Sequence, residues 1–267
     1  MKKFFGLRMS NYRDIIASLP MLELVYENFG DTYNILSISQ KCKDIIPYIK
    51  FHKKINEIKI SDHYDNLGEK DYQIIKSCDF YINPKPIHPK ELDWYNYRNL
   101  IQETCLMGSL DYKLINTNPR LNYFFNSNIC ENFKITIQKK FYDEEFQMEI
   151  GPDDYFWKIL LEDSVFKNIK IDYINNSTSL EEKVNLIKNS NLLISPESDI
   201  SWLINSFNTT KQINLVSNFY PNHINNLLAF APPENSKNIN LYYNKSDQLE
   251  IIPKLVDLIK NILYNKL

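Results

Sequence analysis

Glycine is scarce in this 267-residue chain, which has only 5 glycines and no Gly-x-Gly pair. The dinucleotide-binding turn needs glycines separated by one residue, and the P-loop needs them at another fixed spacing. The sequence therefore excludes both glycine-rich phosphate loops. If a nucleotide binds, another kind of turn must hold its phosphates.

Cysteine and histidine are also few, with 4 of each, and neither forms a Cys-x-x-Cys pair or a histidine cluster. This spacing argues against structural zinc and is typical of reduced thiols in a cytosolic protein. Charge is balanced, because 31 Lys and Arg against 33 Asp and Glu give a formal net charge of −2. The chain lacks the basic character of non-specific nucleic-acid binding, so we expect no nucleic-acid partner.

Long hydrophobic runs are missing too. A membrane span needs ~18 apolar residues, and the run Phe4–Leu7 is too short for the core of a signal peptide. The hydrophobic content of 43% and the aromatic content of 13% nevertheless suffice for a folded core. We therefore predict a soluble, cytoplasmic protein, and we leave peripheral membrane association and the oligomeric state open.

Short apolar runs alternate with amphipathic segments, a pattern typical of βα units and parallel sheets. In the first half, Pro20 predicts a helix that begins late or has the proline in an early turn. The three prolines between positions 83 and 89 exclude regular structure there. The predicted strands of this half are Phe4–Leu7, Asn34–Ser39, Ile55–Ile60, Asp79–Ile82 and Tyr112–Asn116, and its helices are Asp14–Asn28, Cys42–Phe51 and Leu92–Met107.

Periodicity is lost over Asn118–Asn132, which predicts a boundary between domains 1–125 and 126–267. In the second half, Ser179 and Glu182 form a capping box that begins a helix. The predicted strands are Lys134–Gln138, Ile169–Ile174, Leu192–Ser195, Gln212–Val216 and Ile239–Tyr243, and the other helices are Pro152–Leu161, Asp199–Phe207 and Gln248–Leu263. We predict an α/β fold of two Rossmann-like, doubly wound parallel-sheet domains.

The turn Ser195–Ser198 joins an apolar strand to a helix with a buried stripe. The first turn of a helix has free N–H groups and the positive end of the dipole, which suits a phosphate or diphosphate. Ser198 is also a good N-cap residue, worth about 1 kcal/mol without any ligand. Both roles use the same geometry, so they can coexist.

Two stretches resemble glycosyltransferase family 9, the heptosyltransferase-like proteins of the GT-B fold. Arg13–Pro20, RDIIASLP, is similar to the family's Gly-Asp-apolar-apolar opening of the first helix, with Arg13 in place of Gly. Thr178–Val216 is similar to its block of helix, strand, Asp-Ser/Thr-Gly turn, helix and strand. The resemblance implies two domains facing a cleft and inverting sugar transfer, without metal or cofactor, from a nucleotide-sugar donor to a glycan or lipid-linked acceptor.

The chain departs from the family pattern at the turn. Glu197 stands at the family's Asp, Ser198 matches its Ser or Thr, Asp199 replaces its Gly, and Trp202 replaces a His. The family's lysine before the first helix of the second half has no clear counterpart. Two candidates for it follow the predicted strand Lys134–Gln138, namely Lys139 and Lys140.

By this resemblance Asp14 is the catalytic base that deprotonates the acceptor hydroxyl. Its alternative role is to cap the first helix. The predicted donor-binding residues are Glu197, Ser198, Asp199, Ser201, Trp202, Lys139 and Lys140.

Each donor-site residue also has an ordinary interpretation. Glu197 can bind sugar hydroxyls or be a solvated loop residue. Trp202, which the pattern puts off the buried stripe, can stack on a base or pack against the protein. The Asp199 carboxylate repels a diphosphate, so Lys139, Lys140 or Lys211 must offset its charge.

Acidic clusters have ordinary interpretations as well. We interpret Asp143–Glu145 as a solvated loop, Asp153–Asp154 as a helix start, and Asp62–Asp65 as a weak cation cluster, and we predict no metal site. The leading hypothesis is a glycosyltransferase. The alternatives are a catalytically degenerate GT-B scaffold that binds a glycan or a protein, and an epimerase-like nucleotide-sugar enzyme.

Overall fold

The computed structural model describes residues 3–9, 11–50, 52–61, 68–82, 132–143, 147–207, 209–217 and 231–264. The chain divides into two compact units, Met1–Phe124 and Phe125–Leu267. The acceptor-side and donor-side roles that we assign to the two domains stay predictions. The elements predicted at Leu92–Met107 and Tyr112–Asn116, and the Asp62–Asp65 cluster, lie outside the described residues.

The first unit is built on a parallel sheet. Its described strands are β1 (Lys3–Met9), β2 (Thr32–Ser39), β3 (Glu57–Ser61) and β4 (Phe80–Ile82), in the order β3-β2-β1-β4. Because β4 lies on the opposite side of β1 from β2, the direction of strand addition reverses at β1. Loops and helices that follow β1 therefore begin at a topological switch point.

Helix α1 follows β1 directly and extends over Tyr12–Phe29. Its predicted apolar stripe is confirmed by five buried side chains: Ile15, Ile16, Leu19, Leu22 and Val25. The expectation that Pro20 lies in an early turn is wrong, because it occupies the ninth helical position. Proline there removes one backbone hydrogen bond, and the buried apolar stripe offsets that loss.

The rest of the first unit is shorter. The predicted helix Cys42–Phe51 is instead a 3₁₀ turn, Gln40–Ile45, followed by one helical turn, α2 (Ile46–Ile49), with Pro47 in its first turn. Helix α3 (Glu69–Ser77) precedes β4.

The second unit contains a larger parallel sheet and a hairpin. Its strands are β5 (Lys134–Gln138), β6 (Phe141–Asp143), β7 (Met148–Ile150), β8 (Lys170–Ile174), β9 (Leu192–Pro196), β10 (Lys211–Ser217) and β11 (Asn238–Tyr243). The sheet order is β11-β10-β9-β5-β8, and all four pairings are parallel. Every residue of β9 is buried, as expected for a central strand covered on both faces.

The antiparallel hairpin β6–β7 is absent from the sequence-based prediction. Asp143, predicted in a solvated loop, is instead a buried residue of β6. Gly151 follows the hairpin at a φ of +129°, and a Cβ there would lie 2.5 Å from the Lys139 carbonyl oxygen. Only glycine permits this close approach between the residue that follows the hairpin and the residue that follows β5.

Four helices complete the described part of the second unit: α4 (Asp154–Glu162), α5 (Leu180–Lys188), α6 (Asp199–Phe207) and α7 (Ile252–Leu263). The predicted Ser179–Glu182 capping box is confirmed, with both reciprocal hydrogen bonds formed. The predicted helix Gln248–Leu263 begins as a 3₁₀ turn, Lys245–Ile251. Among the described residues, no helix combines the length and the apolarity that crossing a membrane takes.

Candidate functional site

The strand order indicates where a ligand site is expected in the second unit. The chain adds β8 on one side of β5 and then adds β9, β10 and β11 on the other side. In an open parallel sheet, ligands bind at the carboxyl ends of the two strands where this direction reverses. These two strands are β5, which ends at Gln138, and β9, which leads into Glu197 and Ser198.

Helix α6 begins at this switch point and is capped by its own serines. The Ser198 N–H donates to Ser201 Oγ (2.9 Å), and the Ser201 N–H donates to Ser198 Oγ (3.4 Å). The Ser201 hydroxyl donates to the Ser198 carbonyl oxygen (2.7 Å). The capping role predicted for Ser198 is therefore confirmed, and the donor-binding roles of both serines stay predictions.

Ser198 also joins the two strands of the switch point. Its hydroxyl donates to Gln138 Oε1 across 3.0 Å, and both residues are buried. Sequence reasoning missed Gln138, the polar residue that ends the strand Lys134–Gln138. The signal for it is a polar residue at the end of an apolar strand. This signal indicates a site residue only when β9 is known to lie beside β5.

Glu197 is buried, so its interpretation as a solvated loop residue is wrong. Its Oε2 accepts a hydrogen bond from the Ser217 N–H (3.4 Å), which links the ends of β9 and β10. The pKa of the Tyr243 hydroxyl is raised, first by burial and then by the negative charge of Glu197. A carboxylate thus lies within the carboxyl edge of the sheet, and its contact with a sugar stays a prediction.

Trp202 is fully buried, so the expectation that it lies off the buried stripe is wrong. Helix α6 is buried around its whole circumference from Ile200 to Phe207, and not along one stripe. Packing is therefore the interpretation of Trp202 that its burial favours, and contact with a base or sugar stays a prediction.

Lys139 and Lys140 line a groove of about 350 Å³ beside the switch point. Its other lining residues end β8, follow it or begin α4: Tyr173, Ile174, Asn175, Asn176 and Asp154. Lys139 Nζ lies 5.2 Å from the centre of the Tyr173 ring, a cation–π distance. Lys140 Nζ lies 3.6 Å from Glu149 and 3.5 Å from Asp154, so its charge is shared between two carboxylates.

The charge balance at α6 differs from the prediction in one respect. Asp199 is half-buried in the first turn of α6, at the carboxyl edge of the sheet. Lys211 begins β10 and pairs with Leu192, so it lies at the opposite edge. A five-residue strand spans roughly 13 Å. Lys211 is therefore not placed to offset the charge of Asp199.

Asp14 lies in the first turn of α1, at the switch point of the first unit. Its N–H donates to Asn11 Oδ1 (2.7 Å), and its Oδ2 accepts from Asn11 Nδ2 (2.7 Å). Asn11 is thus the N-cap residue, and Asp14 is the third residue of the helix. Arg13 Nε lies 3.5 Å from Asp14 Oδ1, and both side chains are largely buried. The base role of Asp14 stays a prediction.

Comparison with solved structures identifies the fold. Across 100% of both chains, this one is similar to the E. coli ADP-heptose lipopolysaccharide heptosyltransferase II, with a TM-score of 0.65 and 13% identity. It is also similar to a family 9 glycosyltransferase from Veillonella parvula, with a TM-score of 0.61 and 10% identity over 99% of this chain and 98% of that one.

A third similar structure is the iron-containing dodecameric glycosyltransferase TibC of enterotoxigenic E. coli H10407. The TM-score is 0.59 at 11% identity, over 89% of this chain and only 62% of TibC. No protein-family model matches this sequence, and no curated protein matches it significantly. The resemblance to family 9 is therefore confirmed as a shared α/β fold of the GT-B type, and at these identities the likeness shows the fold alone.

Proposed function

We propose that this chain is a glycosyltransferase that moves a sugar from a nucleotide-sugar donor to a glycan or lipid-linked acceptor. The observation that supports it best is the start of α6, a helix N-terminus at the switch point of the larger sheet. Such an edge is where open α/β sheets bind nucleotides. Its occurrence in a fold shared with an ADP-heptose heptosyltransferase favours a sugar nucleotide over other ligands.

In the proposed reaction, the donor's diphosphate binds at the start of α6, and the helix dipole stabilises the charge that develops on it. The acceptor hydroxyl attacks the anomeric carbon while Asp14 takes its proton, and the nucleoside diphosphate leaves from the opposite face. This single displacement inverts the anomeric centre. We propose that it needs no metal or cofactor and occurs in the cytoplasm.

Nucleotide binding is the first test. The thermal unfolding of the protein is measured with and without ADP, UDP or GDP. A ligand at about 100 times its Kd should add about 2.7 kcal/mol to the free energy of unfolding. If none of the three nucleotides raises the unfolding temperature, the proposal is contradicted.

Turnover is the second test. Nucleoside diphosphate release from a panel of nucleotide sugars is measured with saccharide or lipid-linked acceptors, in the presence of EDTA. Asp14→Asn should reduce turnover about 10²–10⁴-fold, the usual share of a general base, and leave nucleotide affinity intact. The matched control is Asp44→Asn, which removes a carboxylate that accepts from Tyr12 at the start of the same helix.

The outcomes separate the alternatives. Equal turnover in Asp14→Asn and wild type would contradict the base role. Nucleotide or glycan binding without any turnover would favour a catalytically degenerate scaffold. A changed sugar after incubation with donor alone would indicate an epimerase-like enzyme.

A further inference from the structure

We infer that Gln138 binds the donor, with the N–H groups of its side chain directed at an oxygen of the diphosphate. This inference rests on the proposed function and adds a residue to its site. Gln138 ends β5 at the switch point and is 1% exposed. A nearly buried amide at such an edge must find partners for both of its ends.

One end of this amide is fixed. Ser198 Oγ donates to Gln138 Oε1 at 3.0 Å, while the same Oγ accepts from the Ser201 N–H. Because the single hydroxyl proton is directed at the carbonyl oxygen, the amide nitrogen must point the other way. Ser198 thus acts as a positioning residue for the amide of Gln138.

The other end of the amide is available. Gln138 Nε2 has no hydrogen-bond partner among the described residues, and it is not one of the fully occluded unpaired atoms there. In contrast, Gln212 Oε1 and Asn214 Oδ1 in the same unit are fully occluded. Gln138 therefore has two N–H donors that no described residue occupies, at the carboxyl end of β5.

The serine donors beside Gln138 are already used within the chain. The N–H and hydroxyl of Ser198 and the hydroxyl of Ser201 all donate to protein acceptors. Glu197 and Asp199 are acidic and repel a phosphate. Gln138 is neutral, and its Nε2 is not used by the protein, so it can donate to a phosphate oxygen without breaking the cap of α6.

The test is calorimetry of ADP, UDP and GDP, with adenosine, uridine and guanosine in parallel. Gln138→Met keeps the length of the side chain and removes both donors, so the diphosphate that binds wild type should bind about tenfold more weakly. The affinity of the matching nucleoside should stay unchanged. If this variant does not fold, Gln138→Glu retains an acceptor for Ser198 and replaces the amide nitrogen by a repelling oxygen.

Three further variants serve as controls. Ser198→Ala should weaken diphosphate binding about threefold by releasing the amide, and Ser198→Thr should restore it. Thr136→Val, on the same strand and face, should have no effect, because the Thr136 hydroxyl contacts Ser190 away from the carboxyl edge.

Wild-type diphosphate affinity in the Gln138 variants, or an equal loss for nucleoside and diphosphate, would overturn the inference and leave the proposed function standing. A wild-type protein that binds none of the three diphosphates would overturn both.

Discussion

His52 makes the stability of the first unit depend on pH. Its imidazole is buried, and its Nδ1 accepts a hydrogen bond from the Lys54 N–H at 3.3 Å. Burial, and to a lesser extent the positive charge of Lys54, lowers the pKa of His52 from 6.5 to about 4. The folded state therefore favours the neutral imidazole, which alone can accept that hydrogen bond.

The sign of the effect follows from proton binding. Above pH 6.5 the imidazole is neutral in both states, so its full contribution is present. As the pH falls toward 4, the unfolded chain binds a proton that the folded chain does not, and stability is lost. A pKa unit corresponds to ~1.4 kcal/mol, so the loss is about 2 kcal/mol at about pH 5 and approaches about 3 kcal/mol below about pH 4.

Urea unfolding of wild type and His52→Asn at about pH 7 and about pH 5 measures this effect. The asparagine side chain retains an oxygen that accepts from the Lys54 N–H and does not titrate. The variant should therefore lose about 2 kcal/mol less than wild type between the two pH values, while carboxylates contribute equally to both. If the two proteins lose the same stability within about 0.5 kcal/mol, burial does not set the pKa of His52.

Two further predictions concern packing near the candidate site. Trp202→Ala should lower the free energy of unfolding by about 3–5 kcal/mol, and Trp202→Phe by less, since the indole is fully buried. Nucleotide affinity should survive in Trp202→Phe, and a tenfold loss in calorimetry would instead favour ligand stacking. Gly151→Ala should cost about 2–4 kcal/mol in urea unfolding, because its Cβ meets the Lys139 carbonyl oxygen at 2.5 Å. Its control, Gly30→Ala, has a φ of +74° but open space around the Cβ and should cost only about 1 kcal/mol, so equal losses would refute the steric explanation.

The strands were the most predictable part of the fold. The predicted strand Lys134–Gln138 has the bounds of β5, and the predicted Gln212–Val216 falls one residue short of β10 at each end. Both are short apolar runs bounded by polar residues, a local signal that needs no knowledge of neighbours.

Features that depend on tertiary contacts were not predictable in the same way. The hairpin β6–β7 consists of two three-residue strands, too short to show an alternation, and the approach of Gly151 to Lys139 leaves no room for a side chain after it. The periodic pattern puts Trp202 off the buried stripe because it describes a helix covered on one face. In the structure, α6 is covered on all of its faces.

The position of the candidate site could be predicted from the sequence, but not all of its residues could. Ser198 could be located from sequence because a strand, a turn and a helix meet there and serine is a good N-cap. The role of Gln138 could not, since it depends on β9 lying beside β5, a pairing between residues far apart in the chain. Of the three lysines expected to offset the charge of Asp199, Lys211 is disfavoured for a similar reason, because it is near Asp199 in sequence but lies at the opposite edge of the sheet.

The most direct measurement is a crystal structure of the protein with the nucleoside diphosphate that binds it most tightly. We expect the diphosphate at the start of α6, with one of its oxygens within about 3 Å of Gln138 Nε2. A diphosphate bound away from the carboxyl ends of β5 and β9 would contradict the assignment of this edge as the donor site.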